Sequence, residues 1–285
     1  GKNLMNNSDD IKSWIGKSIK NEDYISDFPV RAMSSVFDYK GENFIEVPYG
    51  WHWLYFLNLP LQKNLGPDGH EKRIGFMPPI DLPIRMYAGG EINYFKPILI
   101  GEKLKKTSSI ISIENKEGST GNLIFLKIKH EITNKKEILI NEIQNLVYRE
   151  DKKSQKNKSA IGINAPNNFD YEKSWQTSPE MLFRYSALTH NTHKIHYDFP
   201  YATGVEGYPQ IVVHGPLMAT FLLDLISNII TNKQKLINFT FRLKSPVFVG
   251  GTIFAQAIKT KNGLDLWIKD QNGYQSLTAE AEIIA

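Results

Sequence analysis

The sequence predicts an α+β protein of two related halves, in each of which a long antiparallel sheet wraps around a central helix. Three observations lead there: a phrase that recurs in both halves, trains of β-rich runs separated by turn residues, and one helix that is apolar nearly all round. The phrase is INYFKPILIGEKL at residues 92–104 and FTFRLKSPVFVGGTI at residues 239–253. Each copy carries aromatic residues, a proline, three apolar residues and a glycine, with Pro97 to Gly101 and Pro246 to Gly250 at the same spacing. Such self-similarity is the sequence mark of an internal repeat.

The elements follow in order. Aromatic YGWHWLYFLNLPL, residues 49–61, is the place for the first half's helix, though it is short. TSSIISIENKEGSTGNLIFLKIKHEIT then gives two strand runs joined by a turn between Asn115 and Asn122, and EILINEIQNLVYRE gives another. Asp151 to Asn168, DKKSQKNKSAIGINAPNN, is polar, lysine-rich and contains Pro166, which reads as a linker. The chain is thereby divided into an N-terminal domain over 1–150, a linker over 151–170 and a C-terminal domain over 171–285.

In the second half a helix is predicted from Pro216 to about Asn232, with apolar residues at 217, 218, 221, 222, 225, 226, 229 and 230. Thr220, Asp224, Ser227, Asn228 and Thr231 form one narrow polar stripe, so the helix is mostly buried. Proline suits its first turn, where an amide hydrogen would be unpaired anyway. TIFAQAIKT, LDLWIKD and YQSLTAEAEIIA follow as strands, with Asn262-Gly263 and Asn272-Gly273 as hairpin turns.

At 285 residues, 41% hydrophobic and 22% charged, the chain has the composition of a globular protein with a sizeable core. Its net charge of +4 is spread over lysines, and no nucleic-acid module is recognisable, so no nucleic-acid partner is expected. The six arginines are the scarcer cations and the better grips for a carboxylate. The longest apolar stretch, Leu217 to Ile230, is broken by Thr220, Asp224, Ser227 and Asn228, and no membrane partner is expected. The start GKNLMNNSDD lacks the apolar core of a secretory signal, and a cytoplasmic location is expected. The absence of cysteine removes disulfides, thiolate zinc sites and cysteine nucleophiles together.

Chemistry concentrates in THNTHKIHYD, residues 189–198. Four of the seven histidines lie between 190 and 214. Metal binding is one reading, but the spacing of His190, His193, His196 and His214 matches no HExxH-type signature. Nucleophilic catalysis through Ser186 or Thr189 is another, and the sequence holds no GxSxG elbow. His214-Gly215-Pro216 favours a third. Gly215 stands at a helix start, where unpaired N–H groups and the positive end of the helix dipole suit a developing oxyanion. A neighbouring imidazole, with its ordinary pKa of ~6.5, can serve as the base.

Asn191-Thr192-His193-Lys194-Ile195-His196-Tyr197-Asp198 resembles the motif Asp-x-Asn-Pro-hydrophobic-His-x-(Asp/Asn) of the MaoC-like and R-specific enoyl-CoA hydratases. FRLKSPVFVG resembles the same family's Arg/Lys-x-Pro-Val-(Tyr/Phe)-x-Gly strand. The longer strings FRYSALTHNTHKIHYDFPYATGVEGYPQIVVHGPL, FMPPIDLPIRMYAGG and WHWLYFLNLP resemble a narrower branch, the 3-methylfumaryl-CoA (mesaconyl-CoA) hydratases and hydroxyacyl-thioester dehydratases. The resemblance runs from about Trp14 to Ala285.

It implies a double hotdog whose first unit is non-catalytic and shapes the acyl-CoA tunnel, and a homodimer or higher homo-oligomer. It implies His196 as the base, Asn191 as the group positioning water, the Gly215 N–H as the oxyanion donor and Asp198 as the group orienting the histidine. Arg85, Arg184, His193, His214 and Tyr197 are expected to line the substrate. Coenzyme A enters as the carrier of the substrate, with no separate cofactor and no metal. Lys103, Lys105 and Lys106 are candidates for its phosphates, or a solvated lysine face. One departure stands out: the family's aspartate is Asn191, which can hold water but cannot take its proton as a carboxylate does. A non-catalytic acyl-thioester binder and an acyl-CoA thioesterase are the alternatives.

Overall fold

The computed structural model describes residues 10–40, 43–119, 121–151 and 162–285. Ten strands form one antiparallel sheet: β1 (Ser18–Tyr24), β2 (Ile84–Tyr94), β3 (Lys103–Gly118), β4 (Gly121–Thr133), β5 (Ile138–Arg149), β6 (Tyr171–Gln176), β7 (Lys235–Leu243), β8 (Thr252–Lys259), β9 (Gly263–Lys269) and β10 (Gln275–Ile284). Their order is β1-β3-β4-β5-β2-β7-β10-β9-β8-β6. From either edge inwards the two halves have the same connectivity, offset by five strands, which is the double hotdog. Among the described residues the helices α1 (Phe28–Val36), α2 (Pro179–Thr189), α3 (Phe199–Gly204) and α4 (Gly215–Ile229) accompany the sheet.

The repeated phrase occupies the same place in each half. Gly101 and Gly250 both turn the chain with left-handed φ, +98° and +108°. Just before them, Leu99 bridges Glu46 and Phe248 bridges Val212. The halves meet where β2 pairs with β7, from Gly89 opposite Arg242 to Asn93 opposite Asn238. Glycine is needed at this seam: a Cβ on Gly89 would stand 2.2 Å from the Phe241 carbonyl oxygen; on the other side of β2, one on Gly90 would stand 2.4 Å from the Ile143 carbonyl oxygen of β5.

Helix α4 is buried from Leu217 to Ile226 and packs on β6, β8 and β9. Its polar stripe is buried at Thr220 and Asp224 and exposed at Ser227 and Asn228. The Asp224 carboxylate accepts from Lys173 Nζ at 2.6 Å and from the Tyr39 hydroxyl. At Asp224 the stripe thus meets β6, through Lys173, and the first half, through Tyr39.

Among the described residues the first half has no such helix. A 3-10 turn, Trp51–Leu54, stands at the matching place, followed by extended Tyr55 and by Phe56 in the left-handed region at φ +56°. The expectation of a central helix in each unit therefore holds for the second unit, while in the first it shrinks to one turn. The buried face of the first half's sheet is correspondingly polar. Glu142 on β5 accepts from His52 Nε2 at 2.8 Å and from Trp53 Nε1 at 2.9 Å. Beside it, His130 on β4 bonds Ser108 through Nδ1 at 2.7 Å and Gln144 through Nε2 at 2.9 Å. Burial alone would raise the Glu142 pKa, but His52, His130 and Lys106 together outweigh it and hold the carboxyl down at about 2. Burial takes His130 down to about 4.

The Asn115–Asn122 turn is tighter than its residues suggest. β3 runs on to Gly118 and β4 starts at Gly121, so Asn115 and Asn122 lie inside strands. Of the expected linker, residues 152–161 lie outside the described residues; beyond them Asn164 bridges Tyr274 and the Ala165 N–H donates to Gly273, tying the segment to the β9–β10 turn.

Candidate active site

Helix α2 is capped by Ser178, whose hydroxyl accepts from the Met181 N–H, and it ends at His190 in the left-handed conformation, φ +51°. That reversal starts the histidine loop. The Asn191 carbonyl oxygen Oδ1 accepts the His193 N–H at 3.0 Å, which tightens the chain into the 3-10 turn Lys194–His196. Val212 then donates its N–H to Ile195 and presents its own carbonyl to His196 Nδ1 at 2.7 Å. A carbonyl only accepts, so Nδ1 carries the proton and Nε2 is left with its lone pair.

His196 is buried and stacks on His214, ring centroids 3.8 Å apart and 18° from parallel. Burial, with His193 adding to it, takes the His196 pKa down to about 3, so the ring is neutral at ordinary pH. His214 caps the start of α4 and Gly215 is its first residue. The first bond within the helix runs from the Met218 N–H to the His214 carbonyl, so the Gly215 N–H has no partner inside the helix. A Cβ on Gly215 would lie 2.6 Å from Leu243 Cδ1. The glycine lets the helix start sit close against β7 and keeps its N–H uncovered.

The imidazoles form a column. His193 stands perpendicular to His196 at 5.6 Å, and His70 packs on His193 at 4.2 Å. His70 comes from the first half, in a loop that docks on the motif: Lys194 N–H donates to Asp68 O at 2.8 Å and Thr192 Oγ1 to Gly69 O at 2.6 Å. Gly69 sits at φ +90°, and a Cβ there would lie 2.0 Å from the Thr192 carbonyl oxygen. On the far side, Glu206 Oε1 lies 3.6 Å from His193 Nε2, with both side chains nearly buried. Sequence reading missed His70 and Glu206; the turn letters GPDGH at residues 66–70 were the only signal for the first.

Asp68, His70 and His193 offer ligand atoms within 4.8 Å of one another. Burial, then Arg85, His193, His196 and Arg73, holds His70 well below its ordinary pKa. Arg73 is committed to the Ile80 and Leu82 carbonyls and lies over the Tyr148 ring. Arg85, on β2, has no hydrogen bond or ion pair among the described residues.

Asp198 does not orient His196: its carboxylate caps α3 by accepting the Tyr201 N–H at 3.0 Å, and the Val212 carbonyl orients the ring instead. Arg184 is exposed and bonds Ser35 of α1. Tyr197 is half-exposed, with its hydroxyl on the Thr192 carbonyl at 2.9 Å. His190 Nδ1 bonds the Asn58 carbonyl. Lys103 pairs with Glu22 at the surface, whereas Lys106 turns towards Glu142, with its pKa lowered chiefly by burial. Ser186 does bond a histidine, His214 Nε2 at 2.7 Å, but the buried Nδ1 of that ring has no partner to orient it as a base.

The profile of the family "Hydroxyacyl-thioester dehydratase type 2" matches residues 50–249. A mesaconyl-C(4)-CoA hydratase of Chloroflexus aurantiacus is 34% identical over 279 residues, 97% of this chain and 99% of the relative. The crystal structure of a MaoC-like dehydratase from Phytophthora capsici superposes with TM-score 0.71 at 15% identity, over 94% of this chain and 95% of that one. A Mycobacterium tuberculosis protein described as a double hotdog superposes with TM-score 0.54 at 12% identity, over 94% and 95%. No helix among the described residues is long and apolar enough to cross a membrane.

Proposed function

The chain belongs to the hydroxyacyl-thioester dehydratase type 2 family, and on that footing we propose that it adds water reversibly to a 2-enoyl-CoA thioester, giving the 3-hydroxyacyl-CoA. The observation that carries the reading is the pairing of His196, its Nε2 lone pair fixed by the Val212 carbonyl, with the uncovered N–H of Gly215 at the start of α4. His196 takes a proton from water, the oxygen bonds to Cβ, and the electron pair of the double bond moves to the thioester oxygen. The Gly215 N–H stabilises that enolate, a donor of the kind worth roughly 3 kcal/mol elsewhere. Protonation at Cα completes the hydration. This is acid–base chemistry, and the reading includes no metal and no cofactor besides the coenzyme A of the substrate.

We extend the reading to a branched dicarboxylic acyl group such as mesaconyl, hydrated to citramalyl-CoA. Arg85 supports this as an unpaired guanidinium near the histidine column, and the Chloroflexus relative supports it through the substrate in its name. Arg85→Ala is expected to lower kcat/KM on mesaconyl-CoA by about 10- to 100-fold, the worth of a hydrogen bond to a charged group. Activity on crotonyl-CoA, which has no second carboxylate, is expected to stay close to wild type. Equal losses on both substrates would remove Arg85 from this role.

Loss of absorbance at the enoyl-thioester band tests the reaction itself. A protein silent on both substrates is a binder, and one that releases free thiol is a thioesterase. A cytoplasmic homo-oligomer completes the reading, and sedimentation measures its size.

A further inference from the structure

Hydration needs two proton transfers, one from water and one to Cα, and the residue expected to share the work with His196 is already occupied. Asn191 spends its carbonyl oxygen on the His193 N–H, and an amide takes no proton. Besides Asp68 of the docked loop, a second carboxylate reaches the histidine column. Glu206, just beyond α3, lies with Oε1 3.6 Å from His193 Nε2, and each side chain is only 10% exposed. Tyr201 holds that same oxygen through its hydroxyl at 3.3 Å. His193 in turn stands ring-edge to His196.

We propose that Glu206 is a positioning residue for this reaction, holding His193 as the proton donor that works beside His196. The assignment rests on the hydration proposed above. His196 Nε2 accepts the proton of water as the C–O bond forms at Cβ and the enolate develops. The His193 imidazolium gives its proton to Cα, and the enolate pair returns as the new C–H bond. The proton left on His196 passes through water to His193, restoring both rings, so one water is consumed and nothing else changes. A buried imidazolium needs a counter-charge, and Glu206 supplies it. The other charged and titratable groups facing His193 are Asp68 and His70 of the docked loop and His196 itself, with Arg85 beyond His70.

The test follows crotonyl-CoA hydration by the full chain across pH. Glu206→Gln is expected to lower kcat on the order of 10²-fold with KM little changed, and to move the alkaline limb of kcat to lower pH. Glu206→Asp recovers part of the rate. In a His193→Gln background, removing Glu206 costs nothing further, because the two act as one unit. Wild-type kcat and pH profile in Glu206→Gln, or losses that multiply in the double variant, overturn the assignment. A wild type that hydrates neither crotonyl-CoA nor mesaconyl-CoA overturns the hydratase reading and this assignment with it, so the two failures are told apart.

Discussion

Replacing His196 with glutamine will lower kcat by about 10²- to 10⁴-fold, the range for losing a general base, while KM changes little. The fold should tolerate it. Glutamine has an amide N–H that can take over the donation to the Val212 carbonyl, and its side chain fills much of the buried space against His214. It has no lone pair basic enough to receive a proton from water. Absorbance at the enoyl-thioester band with crotonyl-CoA and mesaconyl-CoA, alongside a thermal melt of each protein, gives both readouts. Turnover that survives in His196→Gln or His196→Ala would falsify the mechanism outright.

The second large effect is on stability. Acidification from pH 7 towards pH 4 should unfold the protein, with a melting temperature that falls steeply below pH 6.5. His70, His130, His196 and His214 are all held below their ordinary value chiefly by burial, His130 at about 4 and His196 at about 3. A group whose pKa is depressed in the fold contributes stability above its unfolded pKa, and that contribution is lost as pH falls towards the folded value. For each of these histidines the loss begins near 6.5 and amounts to ~1.4 kcal/mol per pH unit. Several such groups together reach the whole stability of a typical domain, roughly 5–15 kcal/mol, within two units. Glu142, held at about 2, adds a later loss of the same sign between its ordinary 4.5 and that value. Circular dichroism melts at stepped pH measure this, and His130→Gln should flatten the slope. A melting temperature unchanged between pH 7 and pH 5 would contradict the assigned burial.

How much of this was legible in the sequence depended on how far apart the interacting residues lie. His196, His214 and Gly215 fall within one stretch, and the helix start was marked by His-Gly-Pro, so their proximity could be read directly. The repeated phrase, the buried helix and both Asn-Gly hairpins were readable for the same reason, since each is set by local pattern. Thr192 and Gly69 are 123 residues apart. Their contact, which brings in His70, follows from docking of a loop that has no periodicity of its own. Glu206 lies close in sequence but was hidden by α3, which folds between it and the motif. Asp198 was misread because adjacency to His196 suggested an orienting role, although an aspartate two residues before Pro200 is equally a helix cap. The first half's helix could not be settled by a short aromatic run, and the polar lining left by its loss came from residues scattered over β3, β4 and β5.

The β2–β7 seam has a consequence for the origin of the chain. Each half alone would be a five-stranded sheet with a naked inner edge, and unpaired edge strands invite aggregation. Gly89 closes that edge tightly, since a Cβ there would stand 2.2 Å from the Phe241 carbonyl oxygen. Fusion into one polypeptide makes the partner edge available at a fixed, high local concentration from the moment of synthesis. It also frees the halves to diverge, because neither has to be self-complementary any longer: one could reduce its central helix to a 3-10 turn while the other kept it whole.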